Sequence, residues 1–230
     1  MKKIGFIGAY DKTDMLLNIA KILTVMKNRV LIIDSTINQK ARYVVPSMNP
    51  TISYITSFED IDVAIGFNNI EEIKQYEGII GDLPYDILLV DCDTYERIEE
   101  FELTNAYKNY FVTSFDSFSL KKGIEILYNL KNKLNLTKIL FAKEVLKEED
   151  DYLNYLSLGC KIIWDEERIY FPIENGDLSV IIENQRVQKI KFKKLSVQYK
   201  DNLGFIVQQI LNQKNDSDIR KSMKIIERGV

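Results

Sequence analysis

The chain has 230 residues, of which 46% are hydrophobic, enough for one α/β domain with a full core. Its formal net charge is −3, so no overall basicity favours binding to nucleic acid. It contains no histidine, which excludes histidine general bases, Ser–His or Cys–His nucleophiles and imidazole metal ligands.

The N-terminal segment predicts a strand, a short loop, a helix and a second strand. Residues 4–8 form an apolar run that ends in glycine, which is typical of a buried strand. From Thr13 to Met26 the apolar residues recur at helical spacing. Residues 30–33 are a second apolar run and end at Asp34.

The rest of the chain continues this alternation. Residues 35–56 are predicted to be irregular. The further predicted strands are residues 61–67, 87–91, 110–113, 138–142 and 169–172, and the further helices are residues 70–76, 117–134 with Ser117 or Ser119 as N-cap, 148–156 and 204–211. Apolar strands alternating with helices predict an α/β fold, a doubly wound, mainly parallel sheet with helices on both faces. We expect one domain over residues 1–213, followed by a polar C-terminal tail or short helix over residues 214–230.

A candidate phosphate-binding loop joins the first strand to the first helix. Gly8 and Ala9 would present backbone to phosphates, Lys12 would add a charge, and Thr13 would hold Mg²⁺. Asp34 and Asp91 follow or end apolar strands, where carboxylates can support that metal. Three other interpretations stay open at this point. Lys12 could be an exposed lysine at a plain helix start, the two aspartates could cap strand ends, and Asp11 with Asp14 could bind a cation directly.

The arrangement resembles the ParA/MinD family of deviant P-loop ATPases over roughly residues 2–211. The family loop Lys-Gly-Gly-x-Gly-Lys-Thr-Thr corresponds to Ile7-Gly8-Ala9-Tyr10-Asp11-Lys12-Thr13-Asp14. Asp34-Ser35-Thr36 lies where the family has Asp-x-Asp, Asp91-Cys92-Asp93 where it has Asp-x-Pro, and Phe171-Pro172-Ile173 resembles a segment that borders the adenine. The resemblance implies a P-loop NTPase-like fold and ATP or ADP with Mg²⁺ as cofactor. The implied nucleotide-binding residues are Gly8, Ala9, Asp11, Lys12, Thr13 and Pro172, and the implied metal ligands are Thr13, Asp34 and Asp91.

Several residues depart from the family pattern. The family's signature lysine falls at Ile7, the glycine before the loop lysine is Asp11, and the second aspartate of Asp-x-Asp is Thr36. Asp14 adds another carboxylate at the helix start. We therefore assign no catalytic residue and predict little or no hydrolysis. Because both aspartates would meet their copies in a face-to-face dimer, we expect a monomer or a dimer through another surface.

The resemblance implies a positioning or assembly factor that acts with protein partners, with self-association also open. One alternative is an active partition-type ATPase. Another is a nucleotide-free pseudo-ATPase scaffold for a secretion, pilus or plasmid machinery.

Two C-terminal segments offer other contacts. Lysines interleave with apolar residues over 189–195, which suits either DNA contact or a solvated strand edge. Ile219, Met223 and Ile226 form an apolar stripe, which suits a membrane-touching helix, a partner-docking helix or a frayed tail. With no signal segment or spanning run, we expect a cytoplasmic protein, with peripheral membrane contact left open.

Overall fold

The computed structural model describes residues 1–47, 51–142, 147–172, 174–212 and 216–229. An eight-stranded sheet forms its centre, with strand order β3-β4-β2-β5-β1-β6-β7-β8. All neighbouring strands run parallel except β3 and β4, which are antiparallel. The strands are β1 Lys2–Ile7, β2 Val30–Asp34, β3 Tyr54–Phe58, β4 Ile61–Ile65, β5 Ile87–Cys92, β6 Lys108–Ser114, β7 Leu134–Ala142 and β8 Ile162–Pro172.

Helices cover both faces of this sheet. They are α1 Thr13–Val25, α2 Ala41–Val44, α3 Ile70–Glu77, α4 Tyr95–Glu100, α5 Ser117–Tyr128, α6 Lys147–Leu156, α7 Asn175–Val187, α8 Val197–Leu211 and α9 Ser217–Arg228. One core cluster joins the sheet to α1, α8 and α9, and a second joins it to α3, α4, α5 and α6. Side chains alternate between the clusters along β1, because Phe6 belongs to the first and Ile7 to the second. The predicted doubly wound, mainly parallel architecture is confirmed.

Several predicted boundaries were wrong. Strand β3 lies in the segment expected to be irregular, and it forms an antiparallel hairpin with β4. The hairpin turn is Glu59-Asp60, with φ values of +53° and +65°. It lacks the glycine or asparagine that usually marks such a turn.

Other element ends also differ from the prediction. Helix α5 ends at Tyr128, and Leu134 begins β7, although the apolar spacing continues across the break. Helix α8 begins at Val197, because the Ser196 hydroxyl accepts the Tyr199 N–H at 3.1 Å and caps it. Strand β8 begins at Ile162, seven residues before its predicted start. Helices α2, α4 and α7 were not predicted.

The N-cap of α5 is Asp116, and the prediction of Ser117 or Ser119 was wrong. Its carboxylate accepts the Phe118 and Ser119 N–H groups, each at 3.0 Å. Hydrogen bonds from Ser114 and Ser119 lower the Asp116 pKa to about 2. A single carboxylate oxygen, Oδ1, thus satisfies two of the free N–H groups at the start of α5.

We expect Asp116→Ala to lower the free energy of unfolding by about 1 kcal/mol at pH 7, because two N–H groups lose their acceptor. The folded pKa of Asp116 lies below the ordinary value of 3.8, so the wild-type advantage is present above that value and shrinks as the pH falls towards 2. Urea unfolding at pH 7 and pH 3 measures both. Glu125→Ala on the same helix removes only an exposed ion pair with Lys122 and is the control. Equal losses for both variants would contradict the cap.

The apolar stripe of the C-terminal helix is packed against the domain. Ile219 is 1% exposed and Ile226 7%, and both belong to the core cluster of α1 and α8. A Cβ on Gly204 of α8 would lie 3.4 Å from the Met223 sulfur, so the two helices approach closely. The predicted domain boundary at 213 lies outside the described residues. The stripe is therefore not a free surface for a membrane or a partner.

The basic segment is not a strand edge, which corrects that interpretation. It contains a 3₁₀ turn at Phe192–Lys194, and the Phe192 ring is buried. Lys191 and Lys194 pair with Glu183, and these bonds lower the Glu183 pKa to about 2. Part of the positive charge is thus matched within the chain.

Candidate functional site

The candidate site lies where the central strands β1, β2 and β5 end at their carboxyl edge. A cavity of about 390 Å³ opens there, and such edges are where ligands bind in doubly wound sheets. It is lined by Gly8, Ala9, Tyr10, Asp11, Lys12, Thr13, Thr36, Asn38, Lys40, Tyr43, Asp91 and Asp93. The structure therefore brings together five of the six predicted nucleotide-binding residues and two of the three predicted metal ligands.

Gly8 sets the path of the loop. Its φ is +136°, and its N–H donates to the Cys92 carbonyl at 3.1 Å. A Cβ at this position would lie 2.2 Å from the Val112 carbonyl oxygen of β6. Only glycine combines this backbone angle with so close an approach. The loop consequently leaves β1 in the space between β5 and β6.

Lys12 is buried within the loop, with 2% of its surface exposed. Its ammonium donates to the Gly8 carbonyl at 2.6 Å and the Tyr10 carbonyl at 3.0 Å, and lies 2.9 Å from Asp91 Oδ1. The interpretation of Lys12 as an exposed lysine is therefore wrong. Burial raises the Asp91 pKa to about 7, against the opposing effect of the Lys12 ammonium. The pair joins the loop to the adjacent strand at the floor of the cavity.

At the N-terminus of α1, the Asp11 carboxylate accepts a backbone N–H of the helix. Asp11 Oδ1 accepts the Thr13 N–H at 3.1 Å. Thr13 is 7% exposed and lines the cavity together with Asp11. A backbone N–H at a helix start is the kind of donor that phosphates use. In this chain that donor is already engaged by Asp11.

Asp34 supports the loop that follows β2. Its Oδ1 accepts the Thr36 N–H at 3.1 Å and the Thr36 hydroxyl at 2.6 Å, and its Oδ2 accepts the Ala41 N–H at 2.9 Å. Asp34 is 2% exposed and is not among the residues that line the cavity. Through these hydrogen bonds Asp34 holds the β2–α2 loop in place. A role of Asp34 as a metal ligand stays a prediction.

Pro172 lies away from the cavity. It ends β8, three strands from β1, and pairs with Ala142 of β7. It does not line the cavity, and the adjoining Ile173 lies outside the described residues. A row of stacked aromatic rings lies between the cavity and Pro172. The ring centroids of Tyr10 and Phe141 are 4.6 Å apart, and those of Phe141 and Phe171 are 4.9 Å apart. Adenine contact by Pro172 therefore stays a prediction.

Two charged residues that line the cavity, Lys40 and Asp93, were not predicted as site residues from the sequence. Lys40 reaches the cavity from the residue before α2 and contacts both Asp11 and Asp14. Asp93 accepts the Ile37 N–H, at 3.0 Å for its nearer oxygen, and burial raises its pKa. Lys40 lies in a segment without readable periodicity, so no pattern in the sequence pointed to it. Asp93 had a signal, since it directly follows β5, which ends at Cys92.

The carboxylates do not form a cation site by themselves. Asp11 and Asp14 face Lys40, which opposes the interpretation of this pair as direct cation ligands. Across the described residues, no three acidic or cysteine side chains are grouped closely enough to hold a metal ion. Mg²⁺ at Thr13 and Asp91 would thus depend on additional oxygens, which phosphate and water supply.

These features define a P-loop type of α/β domain, and comparison with known proteins agrees. No family model and no curated protein matches the sequence. A plasmid partition protein of Borrelia burgdorferi B31, solved with AMPPNP bound, matches with a TM-score of 0.55 and 12% identity, covering 94% of this chain and 100% of that chain. The MinD cell division protein of Aquifex aeolicus matches with a TM-score of 0.53 and 14% identity, covering 94% and 99%.

A third match is the MinC:MinD cell division complex of Aquifex aeolicus, with a TM-score of 0.52 and 15% identity, covering 94% of this chain and 98% of that chain. The chain therefore has the fold of ParA/MinD ATPases over nearly its whole length. None of the helices in the described ranges is long and apolar enough to cross a membrane.

Proposed function

We propose that this chain is a ParA/MinD-like positioning or assembly factor that binds ATP or ADP with Mg²⁺ and hydrolyses it slowly or not at all. The observation that carries the proposal is the buried Lys12–Asp91 pair on the floor of the cavity, beside Thr13 at the head of α1. A lysine that adds charge to a phosphate-binding loop has to line the cavity at the start of the helix, and Lys12 lies there. The solved partition protein with AMPPNP shares the fold.

The residues of the cavity fit a magnesium polyphosphate. Lys12 and Lys40 supply positive charge, Thr13 and Asp91 supply oxygens of the kind that Mg²⁺ prefers, and the volume of about 390 Å³ lies within the range of ligand pockets. When bound, the nucleotide would bring the phosphate oxygens that complete the metal's coordination. Lys12 would hold the β- and γ-phosphates, Thr13 the metal, and Asp91 would support it.

Slow hydrolysis follows from two positions. Ile7 is completely buried at the end of β1 and carries no charge that could reach a partner's nucleotide. The Thr36 hydroxyl donates to Asp34 and supplies no carboxylate to position an attacking water. Charge stabilisation and water positioning are the main contributions of the protein to phosphoryl transfer.

The nucleotide-free scaffold is the second candidate, and one observation favours it. The Lys12 ammonium already donates to two carbonyl groups and lies beside Asp91, and the Thr13 N–H is already taken by Asp11. Two donors that a phosphate would use are therefore engaged within the chain when no ligand is bound.

Isothermal calorimetry with Mg-ATP separates the two candidates. We expect binding by the wild type and at least about tenfold weaker binding by Thr13→Val, which keeps the shape and the N–H but removes the metal-binding hydroxyl. Thr24→Val is the matched control, because the Thr24 hydroxyl donates only within α1, to the Lys21 carbonyl at 3.0 Å.

Binding absent from the wild type would leave the nucleotide-free scaffold. Equal affinities of Thr13→Val and Thr24→Val would place the nucleotide elsewhere. The same preparations are assayed for phosphate release. Turnover at the rate of an ordinary partition ATPase would restore the active-ATPase alternative.

A further inference from the structure

An ion-pair network crosses the mouth of the cavity. Lys40, from the residue before α2, contacts the Asp11 carboxylate and lies 3.4 Å from Asp14 Oδ2. The same Asp14 oxygen accepts the Gln185 amide of α7 at 2.6 Å. Residues from three separate parts of the chain therefore meet beside the phosphate loop.

The two oxygens of Asp11 have different partners. Oδ1 accepts the Thr13 N–H at 3.1 Å, and Oδ2 contacts the Lys40 ammonium. A backbone N–H at a helix start and a lysine are the donors that a phosphoryl oxygen takes. The Asp11 carboxylate thus holds, from within the chain, two donors that an incoming polyphosphate needs.

The surroundings of Lys40 allow it to change partners. Asp11 is 45% exposed at its side chain and Lys40 37%, whereas the Asp14 side chain is only 13% exposed. Exposed pairs are weak, so the contact between Lys40 and Asp11 opens at small cost. Asp14 stays beside Lys40 through its bond to Gln185 and keeps a counter-charge near the ammonium when Asp11 moves away.

We propose that Asp11 and Lys40 form a clasp that closes the cavity, and that a polyphosphate opens it by displacing Asp11 and taking over Lys40. This inference rests on the proposed nucleotide binding and adds to it. Asp11 acts as an internal competitor of the phosphates. Lys40 supplies within one chain a positive charge of the kind that is missing at Ile7.

The clasp itself is tested without nucleotide. Asp11→Asn keeps an oxygen for the Thr13 N–H but removes the charge that holds Lys40. In the ligand-free protein we expect amide hydrogen exchange of residues 36–44 to become about threefold to tenfold faster, as the loss of a weak ion pair predicts. Glu125→Gln breaks an exposed pair with Lys122 on α5 and is the control, with unchanged exchange in this segment. Unchanged exchange in Asp11→Asn overturns the clasp, whatever the nucleotide result.

The transfer of Lys40 is tested by a double-mutant cycle of Mg-ATP affinity. We expect Asp11→Asn to tighten binding about tenfold, and Lys40→Gln to weaken it about tenfold both alone and in the Asp11→Asn background. If Lys40→Gln does not change the Mg-ATP affinity in the Asp11→Asn background, Lys40 only neutralises Asp11. The proposed transfer of Lys40 from Asp11 to the polyphosphate would then be wrong. If Asp11→Asn does not tighten binding, Asp11 is not a competitor.

The two proposals fail in distinguishable ways. Faster exchange in Asp11→Asn, with no Mg-ATP binding by any variant, would keep the clasp but remove both the proposed nucleotide function and the displacement by polyphosphate. Mg-ATP binding with unchanged exchange would keep the nucleotide function and remove the clasp.

Discussion

Gly8→Ala is expected to lower the free energy of unfolding by about 4 kcal/mol or more, a large share of the stability of a typical domain. Its new Cβ would lie 2.2 Å from the Val112 carbonyl oxygen, which is part of the β6 backbone and cannot rotate away. The residue would also have to keep a φ of +136°, which L side chains rarely adopt. Urea unfolding followed by circular dichroism measures the loss, and the fraction of soluble protein is a second readout.

Gly176→Ala is the matched control. Gly176 lies in α7, where an added Cβ would have no neighbouring atom within 4 Å, and its φ is not in the left-handed region. Alanine there should leave the free energy of unfolding unchanged or raise it by less than about 0.5–1 kcal/mol, the gain expected in a helix interior, because Gly176 lies in the first turn of α7. If Gly8→Ala were as stable as the wild type, the loop would not pass against β6 as described.

The central parallel strands were predictable because they are continuous apolar runs. β2 and β5 are entirely buried and β1 is buried from Ile4 onwards. At the carboxyl edge β2 and β5 are followed directly by polar residues, and β1 is followed by Gly8. The strand at the antiparallel edge, β3, was not predicted, since its exposed and half-buried positions lack that signal. Helix α7 lacks a clear division into an apolar and a polar face, since Leu178 and Ile182 are about half exposed while Val180 is buried, so its sequence gives a weak helical signal.

The candidate site was predicted in part for a similar reason. Lys12 and Thr13 stand at a strand–loop–helix junction, which the local pattern shows. Lys40 enters the cavity from a segment whose path depends on the bonds of Asp34 to Thr36 and Ala41, which no local pattern contains. Asp34 was recognised as a strand-end carboxylate, but its engagement with the loop became visible only in three dimensions.

Lys40 also changes the electrostatic argument about self-association. The sequence predicted that Asp11 and Asp14 would repel their copies across a face-to-face dimer. Because one ammonium contacts both carboxylates, the local charge is less negative than the two aspartates alone suggest. Self-association through this face therefore stays open, and light scattering with and without Mg-ATP measures it directly.

Lys12→Met is expected to lower the free energy of unfolding by about 3–5 kcal/mol, the usual cost of removing one partner of a buried ion pair. The substitution keeps an unbranched side chain of similar length, so it creates little empty space. It leaves the Asp91 carboxyl buried without its counter-charge, and the Gly8 and Tyr10 carbonyls lose their donor. Urea unfolding at pH 9 is the measurement, because the Asp91 pKa is about 7 and its carboxyl is largely ionised in the wild type only above that value.

The double variant Lys12→Met with Asp91→Leu separates the buried charge from the packing. With both charges replaced by apolar groups, most of the lost stability should return, because no carboxylate is left uncompensated. Mg-ATP binding should remain absent from the double variant, since the cation that would hold the phosphates is gone. Recovery of stability without recovery of binding would show two roles of Lys12: it stabilises the fold by neutralising Asp91, and it binds the ligand through its own charge.

If the double variant were no more stable than Lys12→Met, the loss would come from the two carbonyls and not from Asp91. If Lys12→Met itself changed the stability by less than about 0.5 kcal/mol, as surface substitutions do, the ammonium would not be buried in this pair.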